Sequence, residues 1–201
     1  MYHVYMGQRE QVVKAAEKLG LIRPNDVRVP RVVLKRLVEA GVLEHAGRGL
    51  YRLPSSALSA HHSLVEVSVL VPKGIISLLS ALQFHEVGTQ APPSVWMTLD
   101  VRARKPRLDY PPIEVMRASG QALSSGIEKH DIEGRKVQIY SLEKTIADCF
   151  KYRNKIGLDV ALEALKDAWS SKRINMEALW RYCRICRVTN VIRPYLEVLQ
   201  Q

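Results

Sequence analysis

Several features that would assign this sequence to a class are missing from it. No apolar run approaches the roughly 20 residues that a membrane-spanning helix requires, and Met1 is not followed by a charged and then apolar signal segment. With only three cysteines, the thiols cannot all pair within one chain, which fits a reducing compartment. These absences predict a cytoplasmic protein that does not associate with a membrane.

Acidic residues are also in the minority. The chain has 30 Lys and Arg against 20 Asp and Glu, a net charge of +10. Residues 1–53 carry ten basic against five acidic side chains, a net of +5, so the excess is densest there. A positive balance of this kind indicates a polyanionic partner. The 201 residues, 47% of them hydrophobic, are enough for two small globular domains.

A helix is predicted between Pro30 and Gly41. At about 100° per residue, one side of it is apolar; that side comprises Val33, Leu34, Leu37, Val38 and Ala40. The other side is largely charged; it comprises Arg31, Val32, Lys35, Arg36 and Glu39. Pro30 suits the first helical turn, and Gly41 suits a left-handed C-terminal stop.

A tight hairpin is predicted directly after this helix, with strands over 42–45 and 50–53. Gly47 and Gly49 permit the positive φ angles of a tight turn, and Arg48 is the only long side chain at the tip. Upstream, the pattern predicts a helix over 8–19 and a short one over 24–27, with Leu21 and Ile22 as core residues between them. This order of elements is that of a winged helix-turn-helix.

The chemistry of such a unit is DNA binding. A helix fits the major groove, where Arg and Lys can donate to guanine O6 and N7, and a thin wing can enter the minor groove or contact phosphate. The predicted DNA-binding residues are Arg28, Arg31, Val32, Lys35, Arg36, Arg48 and Arg52. The alternative for the helix by itself is an amphipathic surface helix with solvated charges. One winged helix per chain is compatible with a homodimer on an inverted repeat of promoter DNA, although the sequence shows no dimer-forming seam.

The expected fold class is α+β. A winged helix-turn-helix in residues 1–53 is followed by a linker at 54–59 and by a larger mixed α/β domain in residues 60–201, with a small sheet and a helical C-terminal bundle. Helices are predicted in this second domain over 63–70, 74–86, 141–152, 158–170, 175–186 and 189–199. Strands are predicted over 94–99, 113–117, 127–132 and 137–140.

Signals for catalysis or metal binding are weak. Cys183 and Cys186 lie on one predicted helix, and Cys149 with the scattered histidines does not complete a zinc site, so we expect core cysteines, no metal and no cofactor. There is no phosphate-cradling glycine loop. Metal-dependent nucleases use carboxylates together with a lysine, and the second domain contains such residues without compact spacing. We expect a protein that is not an enzyme, and a nuclease stays open as the alternative. The residues concerned are Asp100, Asp109, Glu114, Asp131, Glu133 and Lys136.

Two further basic segments lie in the second domain. The first, Arg102 to Arg107, predicts a solvated loop. The second contains Lys151, Arg153 and Lys155 at the junction of two predicted helices. These cations either complement a helix C-terminus or belong to a surface that binds nucleic acid or an acidic protein.

Three segments together resemble AbiEi-type antitoxins. Residues 20–53 are similar to the N-terminal winged helix of that family, and Ser-Ala-Leu-Gln-Phe-His at 80–85 is similar to its helix motif. Tyr-Ser-Leu-Glu-Lys-Thr-Ile-Ala-Asp-Cys-Phe-Lys-Tyr-Arg-Asn-Lys-Ile-Gly at 140–157 is similar to its central motif. Order and spacing match over nearly the whole chain, although the connection at 26–30 is shorter than in the family.

This resemblance implies a type IV toxin–antitoxin system. The N-terminal domain would repress the promoter shared with a nucleotidyltransferase-like toxin. The C-terminal domain would oppose the toxin, directly or through the toxin's target. From their position in the basic segment, we expect Lys151, Arg153 and Lys155 to form part of the antitoxin surface. The other open interpretation is a winged-helix regulator whose second domain senses a ligand or dimerises.

Overall fold

A computed structural model describes residues 2–199 of the chain. These residues form ten α-helices and two β-sheets, which confirms the expected α+β class. None of the helices within them combines the length and the apolar character that crossing a bilayer requires.

The described residues divide into two compact units. The first contains the residues up to Leu70 together with 130–136, and the second contains 71–129 and the residues from Val137 onwards. These units do not coincide with the segments 1–53 and 60–201 expected from the sequence. The helix after the linker and the tip of a later hairpin both belong to the first unit, because long-range contacts rather than chain order define a compact unit.

The first unit contains four helical elements and a three-stranded antiparallel sheet. The elements are α1 (Tyr2–Leu19), β1 (Leu21–Ile22), a 3₁₀ turn (Pro24–Asp26), α2 (Arg31–Glu39), β2 (Glu44–Gly47), β3 (Leu50–Arg52) and α3 (His62–Leu70). The strand order in the sheet is β1-β3-β2. The apolar faces of α1 and α2 meet in one core; its buried residues are Val12, Ala16, Ile22, Val27, Val33, Leu34, Leu37 and Leu43.

Three details of this unit differ from the sequence-based expectation. Helix α1 begins at Tyr2, six residues before the predicted start at residue 8. Leu21 and Ile22 are buried as expected, but they also form the strand β1 paired to β3, which two residues are too short to reveal as an alternating pattern. The hairpin is tighter than expected, because β2 continues to Gly47 and only Arg48 and Gly49 form the turn. Gly49 has a φ of +74°, which a two-residue turn requires.

The second unit contains a five-stranded mixed sheet and a group of helices. The elements are β4 (Ile75–Ile76), α4 (Leu78–Phe84), β5 (Val95–Asp100), β6 (Ile113–Ala118), α5 (Gln121–Ser124), β7 (Ile127–Ile132), β8 (Arg135–Tyr140), α6 (Leu142–Lys151), α7 (Arg153–Ile156), α8 (Leu158–Ser170), α9 (Met176–Cys186) and α10 (Thr189–Leu199). The strand order is β6-β5-β4-β8-β7. Strands β7 and β8 form a hairpin whose tip, residues 130–136, belongs to the first unit.

The single helix predicted over 74–86 is wrong at its beginning. Ile75 and Ile76 form the strand β4, antiparallel to β5 and parallel to β8 at Ile139. The helix α4 starts only at Leu78. A fully buried apolar run has no periodicity that separates a helix from a strand, so the sequence could not place this boundary.

Helix α6 lies at the centre of the second unit. Ser141 caps it by accepting a hydrogen bond from the Lys144 backbone N–H, and its side chains are buried almost without interruption from Leu142 to Phe150. Two charged residues on this buried helix, Lys144 and Asp148, are 1% and 5% exposed and form an ion pair with each other. A buried ion pair is tolerated because each charge satisfies the other.

Candidate nucleic-acid interface

The exposed face of α2 carries the cations that the sequence analysis selected. Arg31, Lys35 and Arg36 are exposed, and the apolar Val32 on the same face is 56% exposed. The opposite face packs into the core of the first unit; its buried residues are Val33, Leu34 and Leu37. The helix therefore presents a mixed basic and apolar surface to solvent from a well-packed base.

The ends of α2 are fixed by local backbone chemistry. Pro30 precedes the helix with a φ of −58°, which matches the restricted φ of proline. After the helix, Gly41 adopts a φ of +68°, and the Val42 N–H then donates to Leu37 O at 2.9 Å. This stop brings the chain to β2 within a few residues, so the hairpin follows the helix directly.

Little counter-charge opposes this surface. The distance from Lys35 Nζ to Glu39 Oε1 is 3.7 Å, and the two side chains are 77% and 61% exposed, so water screens the pair and its contribution is small. Among the residues that the structure describes, no carboxylate lies within ion-pair distance of Arg31 or Arg36. Both guanidinium groups can therefore be offered to an anionic partner.

The remaining predicted DNA-binding residues lie in three different settings. Arg48 is exposed in the β2–β3 turn, and Arg28 is exposed in the connection before α2. Arg52 lies opposite Glu44 in the sheet, with Arg52 Nε 2.5 Å from Glu44 Oε1. Arg52 is thus engaged within the protein.

A contact from a distant part of the chain, which no local sequence pattern indicates, supports the segment before α2. The Arg135 guanidinium donates to Leu21 O and to Asp26 Oδ2, the latter at 2.5 Å. Asp26 Oδ2 also accepts from the Arg23 N–H at 2.8 Å. Burial opposes the charge on Asp26, but these bonds outweigh it and hold the pKa of Asp26 below its usual value.

The same hairpin tip reaches the end of α1. Gly20 and Gly134 both have positive φ angles. A Cβ atom on Gly20 would collide with the Glu133 carbonyl oxygen, and one on Gly134 would collide with the carbonyl of Lys18. Close backbone approach therefore requires glycine at both positions. In the sequence, the Glu-Gly pair at 133–134 lies between the strands predicted over 127–132 and 137–140, but no local pattern indicates its contact with α1.

Glu133 holds the end of the expected linker. Its Oε1 accepts from the Ser59 N–H at 2.7 Å and from the Ser59 hydroxyl at 2.8 Å, and its Oε2 lies 2.7 Å from His62 Nδ1. Burial opposes the charge on Glu133, but these hydrogen bonds outweigh it and lower its pKa. Glu66 lies 3.6 Å from His62 Nε2, and burial raises the pKa of Glu66.

The three residues expected on an antitoxin surface differ in their availability. Arg153 donates to Phe150 O at 2.9 Å and so satisfies a carbonyl at the end of α6. Lys155 lies 3.4 Å from Glu114 Oε2 and 5.1 Å from the centre of the Trp96 ring. Lys151 is half-buried, with its ammonium group 5.4 Å from the Tyr152 ring centre. Two of the three therefore already have partners within the second unit.

Two of the segments that carry the family resemblance contact each other. His85, which ends the 80–85 segment, donates from Nε2 to the Tyr140 carbonyl oxygen at 2.7 Å. Ser80 accepts from the Trp96 N–H at 2.9 Å and so joins the same segment to the sheet. The segments 80–85 and 140–157 therefore contribute contacts that stabilise the second unit.

The structure does not gather the residues of the nuclease alternative. Asp100, Asp109 and Glu114 lie in the second unit, and Asp131, Glu133 and Lys136 lie in the hairpin tip of the first. Lys136 pairs with Asp131 at 2.9 Å. Within residues 2–199, no group of three or more His, Cys, Asp or Glu side chains is arranged to hold a metal ion.

The cysteines are core residues, as expected. All three are buried, and burial raises the pKa of the Cys183 thiol to about 12. Burial, followed by the charge of Asp148, raises the pKa of Cys186 to about 12. The basic loop is solvated as predicted, with Arg102, Arg104, Lys105 and Arg107 all exposed.

Comparison with known proteins extends the description of the fold. No protein-family model matches the chain, and no curated protein matches it in sequence. The fold is similar to the crystal structure of the RV2827C protein from Mycobacterium tuberculosis, with a TM-score of 0.58 over 88% of this chain and 71% of that chain. The two sequences are 12% identical over the alignment, so the likeness concerns the fold alone.

Proposed function

We propose that this protein is an AbiEi-type antitoxin that also represses its own operon, and that its first unit is a winged helix-turn-helix. The observation that carries the DNA-binding part is the exposed α2 face with Arg31, Lys35 and Arg36, followed at once by a hairpin with Arg48 at its turn. The antiparallel order β1-β3-β2 beside two helices supports the same proposal.

The proposed contacts follow from the chemistry of duplex DNA. Helix α2 enters the major groove, where Arg31, Lys35 and Arg36 donate to base edges or phosphates and Val32 contacts a thymine methyl group. Arg48 in the turn reaches a phosphate or the minor groove. Arg52 takes no direct part, because Glu44 already occupies its guanidinium.

The antitoxin part of the proposal is supported by the resemblance of residues 80–85 and 140–157. The contact between His85 and Tyr140 places these two segments side by side within the second unit. The toxin opposed would be nucleotidyltransferase-like and encoded beside this chain. The second unit would act on the toxin itself or protect the toxin's target.

Promoter binding tests the first part of the proposal. In titrations of labelled promoter DNA at several salt concentrations, Lys35→Ala and Arg48→Ala are each expected to weaken binding. Each lost phosphate contact should reduce the log–log salt slope by about 0.9. Arg31→Ala, if it removes a base contact, should cost about 1–3 kcal/mol and relax specificity at one position.

Lys14→Ala is the matched control, because Lys14 is 71% exposed in the same unit and pairs with Glu10. Its affinity and salt slope should equal those of the unaltered protein. If Lys35→Ala and Arg48→Ala also leave both quantities unchanged, the α2 surface is not the DNA-binding site.

Coexpression tests the second part. The full-length chain is expected to rescue cells from the product of the adjacent toxin gene. A variant carrying Arg31→Ala and Lys35→Ala should still rescue them while the promoter is derepressed. Failure of the full-length chain to rescue would remove the antitoxin activity and leave a DNA-binding regulator.

A further inference from the structure

A recessed cleft opens on the second unit between α5 and α9, and it is called the α5–α9 cleft below. It consists of two adjoining depressions of about 650 and 500 Å³ that share Gln121 and Ile185. Ser125 and Gly126 lie in the larger depression, and Ser119 lies in the smaller one. Polar groups that can donate hydrogen bonds are therefore present along its length.

Four cations line the α5–α9 cleft. Arg181 and Arg184 lie in the larger depression, and Lys151 and Arg187 lie in the smaller one. Of the residues that the structure describes, none that lines either depression is acidic. Among the described residues, no carboxylate lies within ion-pair distance of any of the four. A recess lined by one sign of charge concentrates the local potential and attracts anions.

The walls of the cleft are pre-formed. The Arg181 Nη2 donates to the Tyr182 hydroxyl at 3.2 Å, and its guanidinium lies 4.9 Å from the Tyr182 ring centre. A Cβ atom on Gly126 would lie 3.1 Å from Tyr182 Cζ and 2.7 Å from Lys144 Cβ, so glycine is needed where α9 approaches. A guanidinium that is already positioned loses less conformational entropy when it binds.

Helix electrostatics explain only part of this arrangement. Arg184 and Arg187 lie at the C-terminal end of α9, where cations complement the helix dipole. Arg187 is the C-cap with a φ of +59°, a position that glycine or asparagine usually fills. Lys151 likewise lies at the C-terminal end of α6. Arg181, in the middle of α9, has no such explanation. The four cations share the cleft rather than one helix end.

We propose that the α5–α9 cleft binds the phosphate groups of a nucleotide, either free or within single-stranded nucleic acid. Arginine forks match phosphate oxygens with two parallel hydrogen bonds, and Gln121 and Ser125 supply neutral donors. From Arg181 to Arg187 the helix rises about 9 Å, enough to contact more than one phosphate. This inference does not depend on the function proposed for α2.

The cleft is a shallow depression, and this shape favours a phosphate chain over duplex DNA. A duplex is read by elements that project into its grooves, whereas the cations of the cleft line a depression. Basic grooves that follow a flexible phosphate chain are typical of proteins that bind single strands.

The test uses the full-length protein carrying Arg31→Ala, Lys35→Ala and Arg48→Ala, which removes three of the cations proposed to bind duplex DNA. Calorimetric titrations at about 0.1 M salt use three probes: pyrophosphate, ATP, and a single-stranded RNA of roughly eight nucleotides. In this background Arg181→Ala with Arg184→Ala should weaken binding at least about tenfold, because two charge-assisted contacts are lost. Gln121→Trp should weaken it as well by filling the cleft while all charges remain.

The matched control is Lys166→Ala with Arg173→Ala, which removes two exposed cations of the same unit that do not line the cleft. Its affinity should stay within about twofold, since distant surface charges are screened. Binding of ATP identifies a free nucleotide as the ligand, and binding of the RNA alone identifies a single strand. If no probe binds, or if the control loses as much affinity as the arginine pair, the proposal is wrong.

Discussion

Helices α2 and α9 are both amphipathic, and each carries basic residues on its exposed side. Their surroundings differ, however, so that the cations of α2 project from a convex surface whereas those of α9 line a depression. Helix α2 projects its cations from an apolar base formed by Leu34 and Leu37. Helix α9 lines a depression opposite α5, above the ion pair of Lys144 and Asp148. We propose an anionic partner in both places, and the tertiary setting determines which kind of anion fits.

The largest expected effect concerns the ion pair beside the cleft. In Asp148→Ala the Lys144 ammonium, which also lies 4.1 Å from the Tyr140 ring centre, loses its carboxylate while buried. Cys186, whose Sγ donates to Asp148 Oδ1 at 3.2 Å, loses its acceptor too. We expect the free energy of unfolding to fall by about 3–5 kcal/mol, measured by denaturant titration.

Glu177→Ala is the control for this change, because Glu177 is an exposed carboxylate in the first turn of α9. Its effect should stay below about 1 kcal/mol. An Asp148→Ala protein as stable as the control would show that the cleft does not rest on the ion pair.

A smaller effect is expected at the support of α2. Arg135→Ala removes the guanidinium that bonds to Leu21 O and to Asp26. Hydrogen bonds to charged groups contribute about 1.5–3 kcal/mol, so the free energy of unfolding should fall by about that amount. Lys136→Ala removes the neighbouring cation, whose exposed pair with Asp131 should contribute less than about 1 kcal/mol. Equal losses in the two variants would contradict a supporting role for Arg135.

Acid should weaken the first unit through the same contacts. The folded-state pKa values of Asp26 and Glu133 lie below their usual values, so both groups stabilise the fold when ionised. That stability is complete above the unfolded-state value, about 4.5 for glutamate, and is lost as the pH falls through the folded-state pKa. The free energy of unfolding should therefore be measured from about pH 7 to about pH 3. Below pH 4.5 it should fall less steeply with pH in Glu133→Gln than in the unaltered protein.

The pKa of Glu66, which contacts His62 as Glu133 does, is shifted in the opposite direction. Because the pKa of Glu66 is raised in the folded state, its protonated carboxyl favours the fold at a pH below the unfolded-state pKa. That stability is lost as the pH rises through the folded-state pKa. Glu66→Gln should therefore change the slope above pH 4.5 rather than below it. The same slope in both variants would show that the pKa shifts do not arise from this cluster.

The smallest effect is expected at Arg52. Because Arg52 pairs with Glu44 across the sheet, Arg52→Ala should change promoter affinity by less than about threefold, whereas Arg31→Ala should change it by about fivefold or more. Both are measured in the same promoter titration. A loss in Arg52→Ala as large as that in Arg31→Ala would mean that Arg52 leaves Glu44 to contact DNA.

Local patterns in the sequence were sufficient for most of the regular elements. The predicted helices over 158–170 and 189–199 coincide with α8 and α10, and the predicted helix after Pro30 is α2. Amphipathic periodicity and terminal residues are local properties, so one sequence contains them. The exposed face of α2 follows from the same periodicity.

The remaining elements and contacts depend on pairing between segments far apart in the chain, which local patterns do not contain. The short strands β1 and β4 exist only because partners far along the chain complete them. The availability of a cation depends on its neighbours in space: Arg153 and Lys155 resemble surface cations in the sequence, but Phe150 O and Glu114 engage them. The α5–α9 cleft likewise needed the one-turn helix α5, which is too short to give a periodic signal.

The hairpin tip at 130–136 has a consequence for synthesis. The first unit is discontinuous in the chain, because its last segment follows almost sixty residues of the second. Emergence of α2 from the ribosome therefore precedes that of Arg135 and Glu133 by roughly 5–20 s, at about 5–20 residues per second. During that interval Asp26 lacks the Arg135 guanidinium and Ser59 lacks the Glu133 carboxylate. The first unit begins to form early in translation and is completed only after residue 136 has been made.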